Sequence, residues 1–198
     1  MADGSAAVVD GGAASEEAPS RCSVLIGTSA HAHLAQAIAE MINDAYGYHR
    51  SSPSDVAYRL SIGDEPISRV LHLAFRDGRC IGCVSSTYQP PWTPSRCGHW
   101  GMLAVAPDQQ HTGVASALVH AAEQRLAAGG CTRCQIEYSF SSSSSHSSRL
   151  AEWYEGRLGF QRTLLGRLFG ALTGFRMARK PLPPLRHSAD LRTAPDAG

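Results

Sequence analysis

The chain lacks any apolar run near the ~20 residues of a membrane-spanning helix, so no such span is expected. It also lacks an excess of charge. Lys and Arg number 18 against 17 Asp and Glu, a formal net charge of +1, which gives no electrostatic case for nucleic acid or an anionic membrane. Met1-Ala2-Asp3-Gly4 opens the chain without the basic and apolar stretches of a secretory signal, which points to a cytoplasmic protein. There is no internal repeat. Residues 1–20 have almost no large apolar side chains, cannot offset the entropy of ordering, and are expected to be disordered. Residues 181–198, with four prolines, read as a loose tail. The remaining segment, 21–180, is long enough for one compact domain with its own core. Within it, Ser141 to Ser145 reads as a mobile connector.

Strand and helix patterns alternate along that segment. Strands are expected over Arg21–Ile26, Arg69–Phe75, Cys80–Tyr88, 99–105, Cys134–Phe140, Gln161–Leu165 and Gly174–Arg179. Helices are expected over His33–Ala45, with Leu34, Ile38, Met41 and Ile42 at helical spacing, from a cap at Ser54, over 113–128, and over Ser147–Arg157. Asp77-Gly78 is a two-residue hairpin turn. Pro90, Pro91 and Pro94 exclude a strand interior between 89 and 98. The alternation predicts an α/β fold, and the hairpin makes the sheet mixed.

Cys80-Ile81-Gly82-Cys83 and Cys131-Thr132-Arg133-Cys134 are spaced as zinc ligands can be. However, Cys80 and Cys83 fall in an extended segment, where i and i+3 point to opposite faces. The two pairs also lie too far apart for a compact zinc ribbon. The thiols are read instead as small buried hydrophobes, and no metal is expected.

The most informative stretch runs from Trp100 through Glu123. A strand ending Leu103-Ala104-Val105 leads through Ala106-Pro107-Asp108-Gln109 into Gln110-His111-Thr112-Gly113-Val114-Ala115, and Ser116 onwards reads as helix. A strand, a turn of small residues and a helix start gather unpaired backbone amides, which together with the helix dipole favour an anion such as a phosphate. Gly-Lys-Ser/Thr does not follow, which argues against nucleoside triphosphate hydrolysis. Gln110 to Ala115 resembles the Gln/Arg-x-x-Gly-x-Gly/Ala element of the GNAT superfamily, the acetyl-CoA-dependent N-acetyltransferases. Leu103 to Pro107 resembles that family's lead-in, and Leu150 to Phe160 its Tyr-Glu-x-x-x-Gly-Phe element. Most relatives carry glycine where this chain has His111. The resemblance covers roughly residues 22–180.

The resemblance implies a mostly antiparallel central sheet flanked by helices. It also implies acetyl-CoA as co-substrate, held by Leu103, Ala104, Val105, Gln110, His111, Thr112, Gly113, Val114, Ala115 and Ser116. The chemistry requires an uncharged amine, and a lysine-like amine is neutral in less than about one part in a thousand at pH 7. A base with a pKa near 7 is therefore useful. The departing thiolate then needs a proton. By resemblance, Tyr154 faces the CoA sulfur and is the candidate acid; the plainer alternative is a core tyrosine stacked on Leu150. His99, at the head of the strand before the loop, is a candidate base, and Glu137 is its rival. For both, the plainer alternative is a satisfied polar residue at a strand end. His31, His33, His49, His72, His120 and His146 show no site-like spacing. Tyr46, Tyr48, Tyr88 and Trp92 fall where the family takes its acceptor, and would suit an amine with an apolar body. The expected function is acetyl transfer to a small primary amine. The alternatives are a protein amine as acceptor, a non-catalytic acyl-CoA-binding module, or a phosphate-binding module unrelated to acetyl transfer. A homodimer is compatible with the sequence.

Overall fold

The computed structural model describes residues 22–65, 68–164, 166–167 and 174–184. The expected disorder of 1–20 and most of the expected C-terminal tail therefore lie outside the described residues. Seven strands form one sheet: β1 (Ser23–Ile26), β2 (Arg69–Arg76), β3 (Arg79–Thr87), β4 (Cys97–Val105), β5 (Arg133–Ser139), β6 (Gln161–Arg162) and β7 (Phe175–Pro181). Their order is β1-β2-β3-β4-β5-β7-β6. Every neighbouring pair is antiparallel except β4 and β5. Among the described residues, α1 (Ala35–Tyr46), α2 (Pro53–Ile62), α3 (Val114–Ala128) and α4 (Ser145–Ala151) flank the sheet.

Local chemistry explains most of these elements. Asp77 and Gly78 both take positive φ, 51° and 76°, the twist that a two-residue hairpin turn needs. α1 buries Ala35, Ile38, Ala39 and Ile42, a helical stripe, and a 3-10 turn over Ser29–Leu34 precedes it. The cap of α2 is Ser52 rather than the expected Ser54. Pro53 occupies the first helical position, and Asp55 completes a capping box in which the Ser52 hydroxyl accepts from the Asp55 amide at 3.1 Å. The strand expected over Gln161–Leu165 stops at Arg162, because the Thr163 hydroxyl accepts from the Gly166 amide at 3.0 Å and starts a helical turn. At the other end, β7 runs through Pro181 and Leu182 is buried, so the fold extends two residues beyond the expected boundary at 180. Ser144 caps α4, which gives the serine run a structural task.

Two cores lie on opposite faces of the sheet. One packs Val84, Trp100, Leu118, Leu126, Ile136 and Phe160 beneath α3 and α4. The other packs Ile38, Ile42, Leu60, Leu71, Leu73 and Met102 beneath α1 and α2. Burying such side chains contributes about 1.5–3 kcal/mol each, so both faces of the sheet are braced on either side of the place where β4 and β5 part.

Candidate active site

The opening is where β4 and β5 part. They pair in parallel over only three positions, Cys97 with Arg133, Gly98 with Cys134 and His99 with Gln135. Beyond them β4 stays with β3 and β5 stays with β7, leaving a fork. β4 also bulges: Ser85 opposes Gly101 while Cys83 opposes Ala104, and Met102 takes φ 53°. The bulge rotates β4 so that Trp100 packs on the α3 side while Met102 and Ala104 pack on the α1 side.

β4 then runs into the loop that opens α3. His111 takes φ 65° and Gly113 takes φ 88°, both left-handed. The first position shows why glycine suits it, and His111 is held there at a cost of about 1 kcal/mol. The loop is pinned to the β2–β3 hairpin. Arg76 Nη1 donates to Gln109 Oε1 at 2.6 Å, Arg79 forms a two-pronged pair with Asp108 at 2.7 and 3.1 Å, and the Thr112 hydroxyl donates to the Gln109 carbonyl at 2.7 Å. Gly113 is the N-cap and offers no side-chain acceptor. The amides of Val114, Ala115 and Ser116 therefore have no intrahelical partner. A Cβ at Gly113 would point into open space. Open amides, a helix dipole and free volume fit a phosphate group.

On the α3 side of the fork stands Tyr154, carried on a π-helical turn, Glu152–Arg157, that continues α4. Its ring is buried against Tyr138, Trp153 and Trp100, with centroids 4.9, 5.1 and 5.9 Å away. Among the described residues its hydroxyl has no hydrogen-bond partner, whereas Tyr138 donates to Glu155, which also accepts from Arg176 at 3.1 Å. Burial pushes the Tyr154 phenol well up, and the Tyr46 and Tyr138 phenols add to it. Tyr46 lies at the end of α1, so this influence passes from one face of the sheet to the other through the fork. The Tyr46 phenol, also raised by burial, faces the Met102 peptide at the bulge.

On the α1 side stand the two candidate bases. His99 leans along β4: a side chain at Gly101 would meet its Cε1 at 3.1 Å. Burial holds its pKa below the ordinary histidine value, with Glu137 acting against that and Arg69 with it. Glu137 is exposed and accepts from Gln135 Nε2 at 2.9 Å. The structure thus brings Tyr154, His99 and Glu137 to one fork, the phenol from one face and the bases from the other.

The sequence of this unit matches the family model described as acetyltransferase (GNAT) family over residues 35–160 of the 198. The chain belongs to that family. It is thereby an acyltransferase, with the family's mostly antiparallel sheet flanked by helices. A search of curated proteins found no match. Solved structures share the fold. The PaiA N-acetyltransferase of Thermoplasma acidophilum, in complex with coenzyme A, superposes with a TM-score of 0.62 at 13% identity, covering 82% of this chain and 99% of its own. The GNAT domain of PAT from S. lividans gives 0.63 at 18%, covering 80% and 89%. N-acetylglutamate synthase from Neisseria gonorrhoeae, complexed with coenzyme A and N-acetyl-glutamate, gives 0.59 at 17%, covering 83% of this chain and 36% of its own.

Several side chains of this GNAT domain sit differently from expectation. Tyr88 does not line the acceptor side. Its ring lies under the Arg125 guanidinium at 3.9 Å, and its hydroxyl donates to the Arg125 carbonyl at 3.0 Å, at the far end of α3. Trp92 does reach the site, edge-on to His99 at 5.9 Å. Tyr46 and Tyr48 meet edge to face at 6.0 Å, with Tyr48 exposed. Cys83 belongs to the core under α1, and Cys131 and Cys134 to the core under α3. Among the described residues no group of His, Cys, Asp and Glu is arranged to hold a metal ion. No helix of the described residues is long and apolar enough to cross a membrane. The π turn and the bulge escape sequence reading; Gly101, beside the bulge, is the one local hint of the second.

Proposed function

We propose that this GNAT domain moves an acetyl group from acetyl-CoA to a small primary amine by direct attack in a ternary complex. The observation that carries the reading is the β4–β5 fork lying beside the open amides of α3. Val114, Ala115, Ser116 and the backbone from Gln110 to Gly113 would take the pyrophosphate. Leu103, Ala104 and Val105 would guide the rest of the cofactor along β4 to the fork. Structures of the same fold solved with coenzyme A support this choice of cofactor.

The amine nitrogen attacks the thioester carbonyl carbon, the C–S bond breaks, and the sulfur leaves as thiolate. His99 is the proposed acceptor of the amine proton. Its lowered pKa leaves the ring neutral at neutral pH. Glu137, exposed on the same face, is the alternative base or holds a water that relays the proton. Tyr154 is the proposed donor to sulfur. Burial raises its phenol, which keeps it protonated until the thiolate forms. From ordinary values the transfer from phenol to thiolate is uphill by roughly 1.5 pKa units, about 2 kcal/mol; burial of the phenol adds to this, and a matching rise of the thiol in the same fork offsets it.

The test is a melting shift on adding acetyl-CoA, followed by thiol release on an amine panel. Stabilisation by acetyl-CoA with turnover on at least one primary amine supports the reading. Stabilisation without turnover on any amine reduces the domain to an acyl-CoA-binding module.

A further inference from the structure

The strand registers place a row of directly opposed side chains across the face beneath α1 and α2. Arg69 opposes Thr87, Thr87 opposes His99, His99 opposes Gln135, and Gln135 opposes Arg179. Opposed residues point to the same face of a sheet. Contacts tie the row together: Arg69 Nε donates to Thr87 Oγ1 at 3.1 Å, and Arg179 Nε donates to Gln135 Oε1 at 2.6 Å. The candidate base therefore sits between two guanidinium groups.

Two further arginines come from the helices above. Arg50 lies over the Tyr46 ring at 5.4 Å, in a connection clamped by Asn43, whose Oδ1 accepts from the Arg50 and Ser51 amides at 2.7 and 3.0 Å. Arg59, on α2, has its Nε buried without a partner. Burial lowers its pKa most, Arg69 and Arg50 add to that as like charges, and Asp55 and Cys83 act against them. Asp55 is itself committed to Ser52, at 2.7 Å to the hydroxyl. Among the described residues none of Arg50, Arg59, Arg69 and Arg179 is in an ion pair. Among the described residues, Glu137 is the one carboxylate hydrogen-bonded into the row.

Gathering unpaired cations costs the fold stability, and the cost is removed when an anion arrives. A plain cationic amine is repelled by such a mouth. We propose that the acceptor of this site is an amine that also carries an anionic oxygen group, a carboxylate or a phosphate, held by Arg69 with Arg59 and Arg50 while its amino group lies by His99 and Glu137. This rests on the acetyltransferase reading and names its substrate class. Arg69 is the specificity-determining residue, because it is the only one of the three within the row that holds His99. Guanidinium forks suit both anions, and two-pronged contacts give them geometric selectivity.

The experiment compares matched amines that differ only in the anionic group: β-alanine against 3-aminopropanamide, tyrosine against tyramine, and aminoethyl phosphate against ethanolamine. Acetyl-CoA binding, read by calorimetry on the full chain, is the separate control for the underlying reading. The expected result is a kcat/KM at least ~10-fold higher for an anionic member, carried by KM, with the carboxylate and phosphate pairs showing which anion is preferred. Arg69→Gln should collapse the ratio within the pair toward one, and Arg69→Lys should restore part of it. Arg50→Gln, at an exposed position, gives a second reading free of folding effects. Equal or better turnover of the uncharged members, or a ratio unmoved by both Arg69→Gln and Arg50→Gln, overturns the proposal while leaving acetyl transfer standing. Acetyl-CoA binding with no binding or turnover of any anionic amine overturns it as well. Failure of acetyl-CoA to bind overturns the acetyltransferase reading instead. Binding of β-alanine or aminoethyl phosphate, and its loss in Arg69→Gln, still reports on the arginines in that case.

Discussion

Tyr154 poses the sharpest question at the residue scale, because its ring is buried while its hydroxyl has no partner among the described residues. A core tyrosine usually finds a partner for its hydroxyl, and Tyr138 beside it does, in Glu155. The Tyr154 hydroxyl has none among the described residues, so Tyr154→Phe removes no internal hydrogen bond. Stability should therefore change by less than about 0.5 kcal/mol, while turnover falls roughly 10²-fold with acetyl-CoA affinity kept. Urea unfolding, calorimetry and steady-state rates measure the three quantities; wild-type turnover in the variant would make the phenol structural. Because burial raises the phenol, its ionisation adds no falling limb to the rate profile below pH 10. With His99 as the proposed base, the acid side belongs to it. Its lowered pKa places the limb of kcat/KM below the ordinary 6.5, with activity present above that limb and lost as pH falls through it. His99→Gln should lower kcat and abolish the limb; a limb that persists unchanged assigns the base to Glu137. At the loop, Gly113→Glu puts a carboxylate where the pyrophosphate is proposed to sit, on a residue with φ 88° that a side chain strains. Acetyl-CoA affinity should drop beyond detection in calorimetry.

Among the elements, α2 is held at its start by one capping box. Ser52→Ala removes the acceptor of the Asp55 amide and should cost about 1 kcal/mol in urea unfolding. Ser54→Ala, at the cap expected from sequence, should cost less, because Ser54 lies inside the helix and its hydroxyl contacts only Ser52, at 2.8 Å. A reversed order of the two would show that the box is not what starts the helix. That pair also shows what sequence can carry. Alternating apolar residues and Asp77-Gly78 are local signals, and the strands and helices they mark are present within a residue or two, except β6, which stops three residues short. Gln110 to Ala115 was legible as a loop opening a helix because that feature is local, set by Gly113 and the residues after it. The fork was not, since it depends on β5 pairing with β4 for three residues and then leaving it. The bulge at Met102 and the π turn under Tyr154 likewise depend on packing against partners far along the chain. Tyr88 misled for the same reason: its partner, Arg125, lies 37 residues away. The arginine row is invisible until register sets Arg69, His99 and Arg179 on one line.

On the scale of the whole molecule, α3 is anchored at both ends. Arg76 and Arg79 hold the loop at its start, and Tyr88 and Ser86 hold Arg125 near its end. The second anchor contains a buried histidine. His72 Nε2 lies 2.8 Å from Ser86 Oγ, and Arg125 Nη1 donates to the same oxygen at 3.2 Å. Burial, with Arg125 in support, pushes the His72 pKa down to about 4, so the folded protein keeps the ring neutral. The unfolded chain takes up the proton near 6.5. Between those values the unfolded state binds a proton that the folded state does not, so stability is fully present above pH 6.5 and falls as pH drops toward 4. One pKa unit corresponds to 1.36 kcal/mol, so the full loss is about 3 kcal/mol. Carboxylates also titrate over the lower part of this window, so the informative quantity is the difference between wild type and His72→Gln, which removes the titrating ring and keeps a polar partner for Ser86. Urea midpoints at pH 7, 6, 5 and 4.5 should converge as pH falls, with the variant less stable at pH 7 and its pH slope shallower throughout. Parallel slopes in the two proteins would mean that His72 titrates alike in both states, and that the anchor of α3 tolerates a charged ring beside Arg125.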